Sequence, residues 1–443
     1  MITENSTIIM KCINCGTDNN LKDRTANQGR CTKCQHPFVF EPTSMGNVKI
    51  TDPMFAKAIA DISTNNTLFF TPKQLYYLLD NRIKFKTASI FGYIFIYVLF
   101  NIFISLLIGE FTLALLGSYS SLIISLIVNI CFIYYFYTKS KSSKINIKYR
   151  QKYAKSLQII GCIILAIGIY NSLLTFNSFS LFLIVVIMGM LSIYLGTRQL
   201  SRSGLLTQEF LFSQSQFQDW LKRWQEINNS NLKLLPAPRA ENTLTKVNPD
   251  VTAYSFDRLI VCDSAVIAQL LIANNFHFEN NCAILGINGY PQSIFDTTMQ
   301  MLRRNPDLQV YALHDCSPQG IGLVHRLRTS PKWFKDSDVV VIDIGLTPRQ
   351  IIATKRGMFI QSSPDSAQAA KELAGEIRQG LSTEEIEFLE LGKFVELESF
   401  TPQKLIQVLQ RGIAGSSNLQ GDDSNLILVG DPGNDMYAVQ SFG

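Results

Sequence analysis

Three stretches of the chain carry no charged residue: Ala88 to Gly109, Phe111 to Thr138 and Ser156 to Thr197. Each exceeds the ~18 apolar residues that mark a membrane span. The third is about twice the ~20 residues one span needs, and it collects Asn and Ser between Asn171 and Ser180, where a break is expected. The pattern therefore predicts a membrane protein with a four-helix transmembrane region, its spans near 88–109, 114–137, 157–175 and 179–197. Gly117 and the Ser-rich residues after it weaken the first turns of the second span, so that helix tilts or starts late.

On either side the period changes. Asp52 to Asn81 reads as helix, turn, helix, the second helix opening at Thr71-Pro72 with Thr as cap and Pro at the first helical position. From Arg198 to Asn228 the spacing of Leu206, Phe210, Phe217, Leu221 and Trp224 predicts one long helix leaving the membrane. Its apolar stripe is expected to pack on the next domain or on a second copy. After a linker to about Asp250, apolar runs at Arg258–Cys262, Cys282–Gly286, Gln309–His314 and Val339–Asp343 alternate with helical segments through Leu271, from Gln292 to Arg304 and from Gly320 to Arg328. That alternation predicts an α/β domain with a mostly parallel sheet and helices on both faces. The division is 1–45, 46–87, 88–197, 198–249, 250–415 and a tail, 416–443, with one further edge strand expected at Leu426 to Val429.

Charge adds orientation. Arg82, Lys84 and Lys86 precede the first span, seven basic residues from Lys139 to Lys155 lie between the second and third, and Arg198 and Arg202 follow the fourth. The other two connections have none, so both termini and the middle loop are expected in the cytoplasm of a multi-pass protein of the cell inner membrane. The basic loop either fixes topology alone or also meets anionic lipid or nucleic acid. No Asp, Glu, Lys, Arg or His lies within a span, which argues against an ion or proton pathway and leaves an anchor in the lipid bilayer, alone or as a homo-oligomer.

Cys12-Ile-Asn-Cys15 and Cys31-Thr-Lys-Cys34 form two C-x2-C knuckles separated by 15 residues. Tetrahedral Zn2+ takes four soft ligands, and this spacing supplies them from two tight turns, with Gly16 and Gln35-His36 at the turning points. Phe38-Val39-Phe40 then reads as a strand. Two disulfides are the alternative, but they need an oxidising compartment that the charge pattern does not provide. The segment resembles the short zinc ribbons at the start of many bacterial membrane-anchored proteins, and with four protein ligands the metal is expected to be structural.

In a parallel sheet, sites form at the carboxyl ends of strands, here Cys262-Asp263, Gly286 to Pro291 and His314 to Ser317. Leu259-Ile-Val-Cys-Asp-Ser-Ala-Val266, Asn288-Gly-Tyr-Pro291 and Val310-Tyr-Ala-Leu-His-Asp-Cys-Ser-Pro-Gln-Gly-Ile321 resemble the Toprim domain of the topoisomerase VI A subunit and of the related meiotic double-strand-break protein, over roughly Asp257 to Ala414. Leu381-Ser-Thr-Glu-Glu385 is similar to a helix start late in that domain. The resemblance implies Mg2+ held by a strand-end glutamate and a D-x-D pair. Cys262 and Ser317 stand at two of those three positions, and only Asp315 is retained, with Asp263 one residue along as a partial substitute. One carboxylate holds Mg2+ poorly. Thr71-Pro-Lys-Gln-Leu-Tyr-Tyr77 is similar to the family's tyrosine-bearing segment, with Tyr77 at the nucleophile's position and Lys73 at that of an upstream arginine. The pair Tyr76-Tyr77 also suits a membrane-interface belt.

The expected function is a membrane-anchored, non-catalytic binding or scaffold protein whose cytoplasmic domain recognises a protein partner or nucleic acid. The alternative is a metal-dependent DNA-cleaving enzyme using Tyr77, Asp315 and Asp263. A further alternative is an oligomeric membrane effector. No motif points to a phosphate loop, a haem site or a catalytic triad.

Overall fold

The computed structural model describes residues 9–46, 48–84, 92, 94–101, 103, 120–175, 177–202, 205–228, 232–238, 256–305, 307–353 and 358–416. The chain divides into two compact units. One joins Met1–Ile83, Phe210–Ala353 and Met358–Gly443, and the other joins Lys84–Glu209 with Thr354–Gly357. The expected tail and its strand at 426–429, like most of the first span, lie outside the described residues.

The first unit opens with a two-residue ladder, β1 (Met10–Lys11) against β2 (Asp18–Asn19), and a short helix α1 (Leu21–Ala26). Helix α2 (Asp52–Ile62) and helix α3 (Pro72–Lys84) follow as the spacing predicts. Phe38 to Phe40 do not form the expected strand. The Asp52 carboxylate accepts hydrogen bonds from the backbone N–H groups of Val39 (2.9 Å) and Phe40 (3.0 Å), which are thereby removed from any ladder.

The long helix expected over 198–228 is also divided. The helix Phe179–Arg202 (α6) ends within that range, and α7 (Gln214–Asn228) starts afresh. Ser213 and Gln216 cap each other at that start, the Gln216 N–H on Ser213 Oγ and the Ser213 N–H on Gln216 Oε1, so the side chains supply the partners a new helix end needs. The stripe Phe217, Leu221 and Trp224 does not cover the sheet. It closes a core with Phe40, Phe55, Ile59, Leu75 and Tyr76. Phe210 lies before α7 and stacks on Tyr76, ring centroids 4.1 Å apart.

The same unit contains the α/β domain. Strands β3 (Arg258–Cys262), β4 (Cys282–Gly286), β5 (Gln309–Leu313) and β6 (Val340–Asp343) form one parallel sheet in the order β4-β3-β5-β6. Leu259, Val261, Val310 and Ala312 point to one face, where they meet Phe295, Leu302, Leu323 and Leu327 from the helices. Strand order reverses between β3 and β5, so their carboxyl ends flank the crevice where doubly wound sheets place ligands.

In the second unit, α4 (Ser120–Lys141) packs on α5 (Ile147–Tyr170), and α5 packs antiparallel on α6 (Phe179–Arg202). A π-turn at Asn171–Thr175 extends the end of α5, within the stretch where the sequence anticipates a break. The helices Ile147–Leu174 and Phe179–Arg202 are long and apolar enough to cross a membrane. Their contact is lined with glycine. A side-chain carbon at Gly161 would stand 2.7 Å from Ile193 Cγ1 and 2.8 Å from the Gly189 carbonyl, and one at Gly196 would stand 2.7 Å from the Ala154 carbonyl. Ser192 Oγ donates to the Leu157 carbonyl across this seam at 2.8 Å. Large apolar side chains point outward instead: Ile167, Leu174, Phe179, Ile187 and Tyr194 are all more than half exposed.

Candidate functional site

Cys12, Cys15, Cys31 and Cys34 bring their sulfurs within 4.8 Å of one another. The Cys12–Cys34 and Cys15–Cys31 distances are 3.6 Å. Four sulfurs at ~2.3 Å from a tetrahedral ion stand about 3.8 Å apart, so the cluster fits a bound metal ion. Each knuckle turns through a residue with positive φ, Gly16 and Gln35, the first of them a glycine as such a turn prefers. Asn19 ties the halves together: its amide reaches Cys31 Sγ (3.6 Å) and its carbonyl oxygen accepts from the Thr32 N–H (2.9 Å). Arg24, only 1% exposed, braces the same strand through the Asn19 carbonyl and a two-point pair with Glu41.

The second candidate lies at the crevice between β3 and β5. Cys262, at the position of the implied glutamate, is wholly buried, and burial pushes its thiol well above the ordinary range. Asp263 lies just beyond the strand, where Ser264 begins helix α8 (Ala265–Ala273), and its Oδ2 accepts from the Asp315 N–H at 2.8 Å. The Asp263 Oδ1 is buried and has no hydrogen-bond partner among the described residues. Asp315 Oδ1 accepts from the Leu397 N–H. Burial, reinforced by each other's charge at Asp315, raises both carboxyl groups above their usual range. Ser317, the other substituted position, uses its hydroxyl to cap the turn Pro318–Ile321, accepting from the Gly320 N–H at 3.0 Å. Gly320 is required there, because a side-chain carbon would collide with the Asp315 carbonyl.

Two further acids complete the cluster. Cys316 and Val395 exchange backbone hydrogen bonds of 2.9 and 3.0 Å, which lays the segment Val395 to Glu398 against the end of β5. Glu396 Oε2 accepts from the Tyr77 hydroxyl at 2.6 Å, and Glu396 Oε1 pairs with Lys73 Nζ at 2.6 Å. The Gln361 amide donates to the same hydroxyl, and Thr71 Oγ1 donates to Glu398 Oε1 at 2.7 Å. Burial raises Glu398 despite that bond. Burial works against the Lys73 ammonium, but Glu396, Glu398 and Asp315 outweigh it and raise its pKa. Lys73 and Tyr77 are four residues apart on α3 and so share a face. Tyr76 and Tyr77, at 5% and 1% exposure, are packed inside this unit rather than displayed as an interface belt.

Tyr77, Asp263 and Asp315 therefore belong to one neighbourhood, and Lys73 joins them. Glu396, Glu398 and Gln361 escape sequence reasoning. Glu396 and Glu398 alternate along an extended segment and so share a face, a readable signal whose placement depends on the Cys316–Val395 bridge.

Among the described residues, the four cysteines are the only group of three or more metal-binding side chains whose ligand atoms close to within 4.8 Å. Asp263 and Asp315 form a pair with one orphaned oxygen. A pair fits Mg2+ only in the manner of sites that take one or two carboxylates and complete the shell with water and substrate phosphate. No family model matches the chain, and no curated protein matches it either.

Proposed function

We propose that this chain is a membrane-anchored binding or scaffold protein whose cytoplasmic unit recognises a protein or nucleic-acid partner. The observation that carries the non-catalytic reading is that Tyr77 is buried and already engaged within the unit. Tyr77 and Lys73 occupy both oxygens of Glu396, and Tyr77 is 1% exposed. A hydroxyl held this way is unavailable to an incoming phosphate, while the polar network fastens α3 to the α/β domain. The four-cysteine cluster is assigned to structural Zn2+ in a zinc ribbon, because thiolates are soft ligands and four of them leave no open coordination position. The anchor is assigned four spans with both termini at the cytoplasmic face of a bacterial inner membrane. The glycine-lined seam and the outward apolar side chains support this, since helices in lipid associate through small residues.

A second reading has its own support: a degenerate Toprim-like domain related to topoisomerase VI A, cleaving DNA with Tyr77 as nucleophile. Tyr77, a carboxylate within 2.6 Å and a lysine that orients that carboxylate satisfy the geometry of an activated nucleophile. The orphaned Asp263 oxygen suits a divalent cation. Bound Mg2+ would be held by Asp263 and Asp315 and would neutralise phosphate charge there.

Titration calorimetry of Mg2+ and Mn2+ into the full chain in detergent, with Asp315→Ala beside it, separates the two. The proposal expects no saturable heat up to millimolar metal. Saturable binding that disappears in Asp315→Ala, joined to DNA nicking that disappears in Tyr77→Phe, replaces it with the second reading.

A further inference from the structure

The sequence has seven basic residues from Lys139 to Lys155 and no carboxylate between Glu110 and Glu209. Within this basic stretch, Arg150 stands apart. Its side chain is fully buried, and its Nε and both terminal nitrogens have no hydrogen-bond partner among the described residues. Arg24, also fully buried, shows the ordinary solution, with a carboxylate and a carbonyl on its guanidinium. A buried guanidinium without an anion is strongly unfavourable, so the site is complete only when an anion occupies it. Among the described residues of this unit no carboxylate provides one: Glu209 is exposed and engages Ser143 and Lys84 through its backbone.

Position identifies the anion. Arg150 follows the first residue of α5, Ile147, by three positions, about 4.5 Å along the helix axis. The outward apolar surface of α5 begins only at Ile159, about 13 Å further on. Arg150 therefore lies in the polar zone of a bilayer, the layer of lipid phosphates, between the basic loop and the hydrocarbon. Nucleic acid lying on the membrane surface reaches the exposed lysines but does not enter between helices.

We propose that Arg150 is the seat of an anionic phospholipid phosphate from the cytoplasmic leaflet, with the neighbouring lysines as its electrostatic collar. This rests on the membrane-anchored reading above. The long arginine stem lets the guanidinium turn outward to the headgroup, and a basic pocket between helices on that side is suited to phosphate oxygens.

The test uses the full chain in nanodiscs of phosphatidylcholine alone or with phosphatidylglycerol, reading thermal unfolding and the affinity for short-chain phosphatidylglycerol. Arg150→Met is expected to weaken that affinity by about tenfold to a hundredfold, the loss of a charge-assisted hydrogen-bond set. In phosphatidylcholine alone the same variant is expected to be as stable as the wild type or more so, because an unpaired buried charge has gone. Lys144→Gln, at an exposed position, keeps the fold and weakens binding only slightly, in a salt-dependent way. Equal affinity of wild type and Arg150→Met overturns the proposal, as does destabilisation of Arg150→Met in phosphatidylcholine alone. Equal stabilisation by inorganic phosphate, or displacement of the lipid by duplex DNA, also overturns it by naming a different ligand. Extraction of the protein from membranes by alkaline carbonate removes the anchor reading and this proposal together. Resistance to extraction without any lipid preference removes this proposal alone.

Discussion

Replacing Tyr77 by Phe deletes one oxygen from the network that joins α3 to the α/β domain. That oxygen donates to Glu396 Oε2 at 2.6 Å and accepts from the Gln361 amide. A hydrogen bond to a charged group contributes ~1.5–3 kcal/mol. The Glu396 side chain is 18% exposed, so water partly compensates and the lower end applies, about 1.5–2 kcal/mol. Glu396→Gln weakens the same bond and removes the Lys73 ion pair. The latter counts for less than ~1 kcal/mol because Lys73 is a third exposed. The two substitutions remove a shared interaction, so the double variant should recover about 1–1.5 kcal/mol relative to the sum of the singles. Denaturation of the full chain in mild detergent, followed by tryptophan fluorescence, measures this. Trp220 and Trp224 report the core beside α3, while Trp333 reports the core under the sheet. With Trp333→Phe in the background, the α3 side can be followed separately. Wild type should lose both signals together, and the double variant should lose the α3 side first. Additivity within ~0.3 kcal/mol, with unchanged coincidence of the two signals, would refute the view that this network fastens the two parts.

Other outcomes follow from the same geometry. Elemental analysis should find one zinc per chain, lost in Cys31→Ser, with proteolysis then cutting before Asp52, since structural zinc supplies most of the folding free energy of so small a segment. Gly161→Leu should destabilise the α5–α6 pair by about 1–3 kcal/mol in detergent unfolding, because its side chain meets Ile193 and the Gly189 carbonyl; an unchanged midpoint would contradict the close seam. His314 is buried, which opposes its charge, yet the pair with Asp343 (2.9 Å) raises its pKa from 6.5 to about 9. Its contribution to stability is therefore complete below about pH 6.5 and fades as pH rises through 9, on the order of 3 kcal/mol. His314→Gln should flatten stability over that window. Asp343, held below its usual range by the same partner after burial opposes it, matters only at the acid end.

Much of the fold is legible because the relevant signals are local. Strands β3 and β4 have the bounds their apolar runs predict, and the cysteines meet as their spacing requires. Thr71-Pro72 starts α3, where Thr71 and Gln74 cap each other, and Ser382 and Glu385 do the same at Thr383–Glu390. The errors arise where tertiary contacts override period. Phe38 to Phe40 have the composition of a strand, but Val39 and Phe40 give their N–H groups to the Asp52 carboxylate. Phe210 fits a helical stripe, yet the Ser213–Gln216 cap, visible in the sequence, restarts the helix after it. The crevice is half legible: Asp263, Asp315 and Tyr77 stand out by type and neighbourhood, while Glu396 arrives through a contact between residues 319 positions away from Tyr77, which no periodicity encodes.

The core around Phe55 and Tyr76 waits for residues made much later, since Tyr76 hands its hydroxyl hydrogen to the Phe212 carbonyl, 136 positions downstream. At ~5–20 residues per second, a ribosome takes roughly 7–30 s to cover that distance. Throughout that interval the apolar faces of α2 and α3 are exposed on the nascent chain, and the sheet that receives α3 is later still. A chaperone that holds unfinished surfaces has a window for action set by the length of the inserted hairpins. Shortening that insertion, without altering any contact in the finished protein, should raise the yield of folded chains.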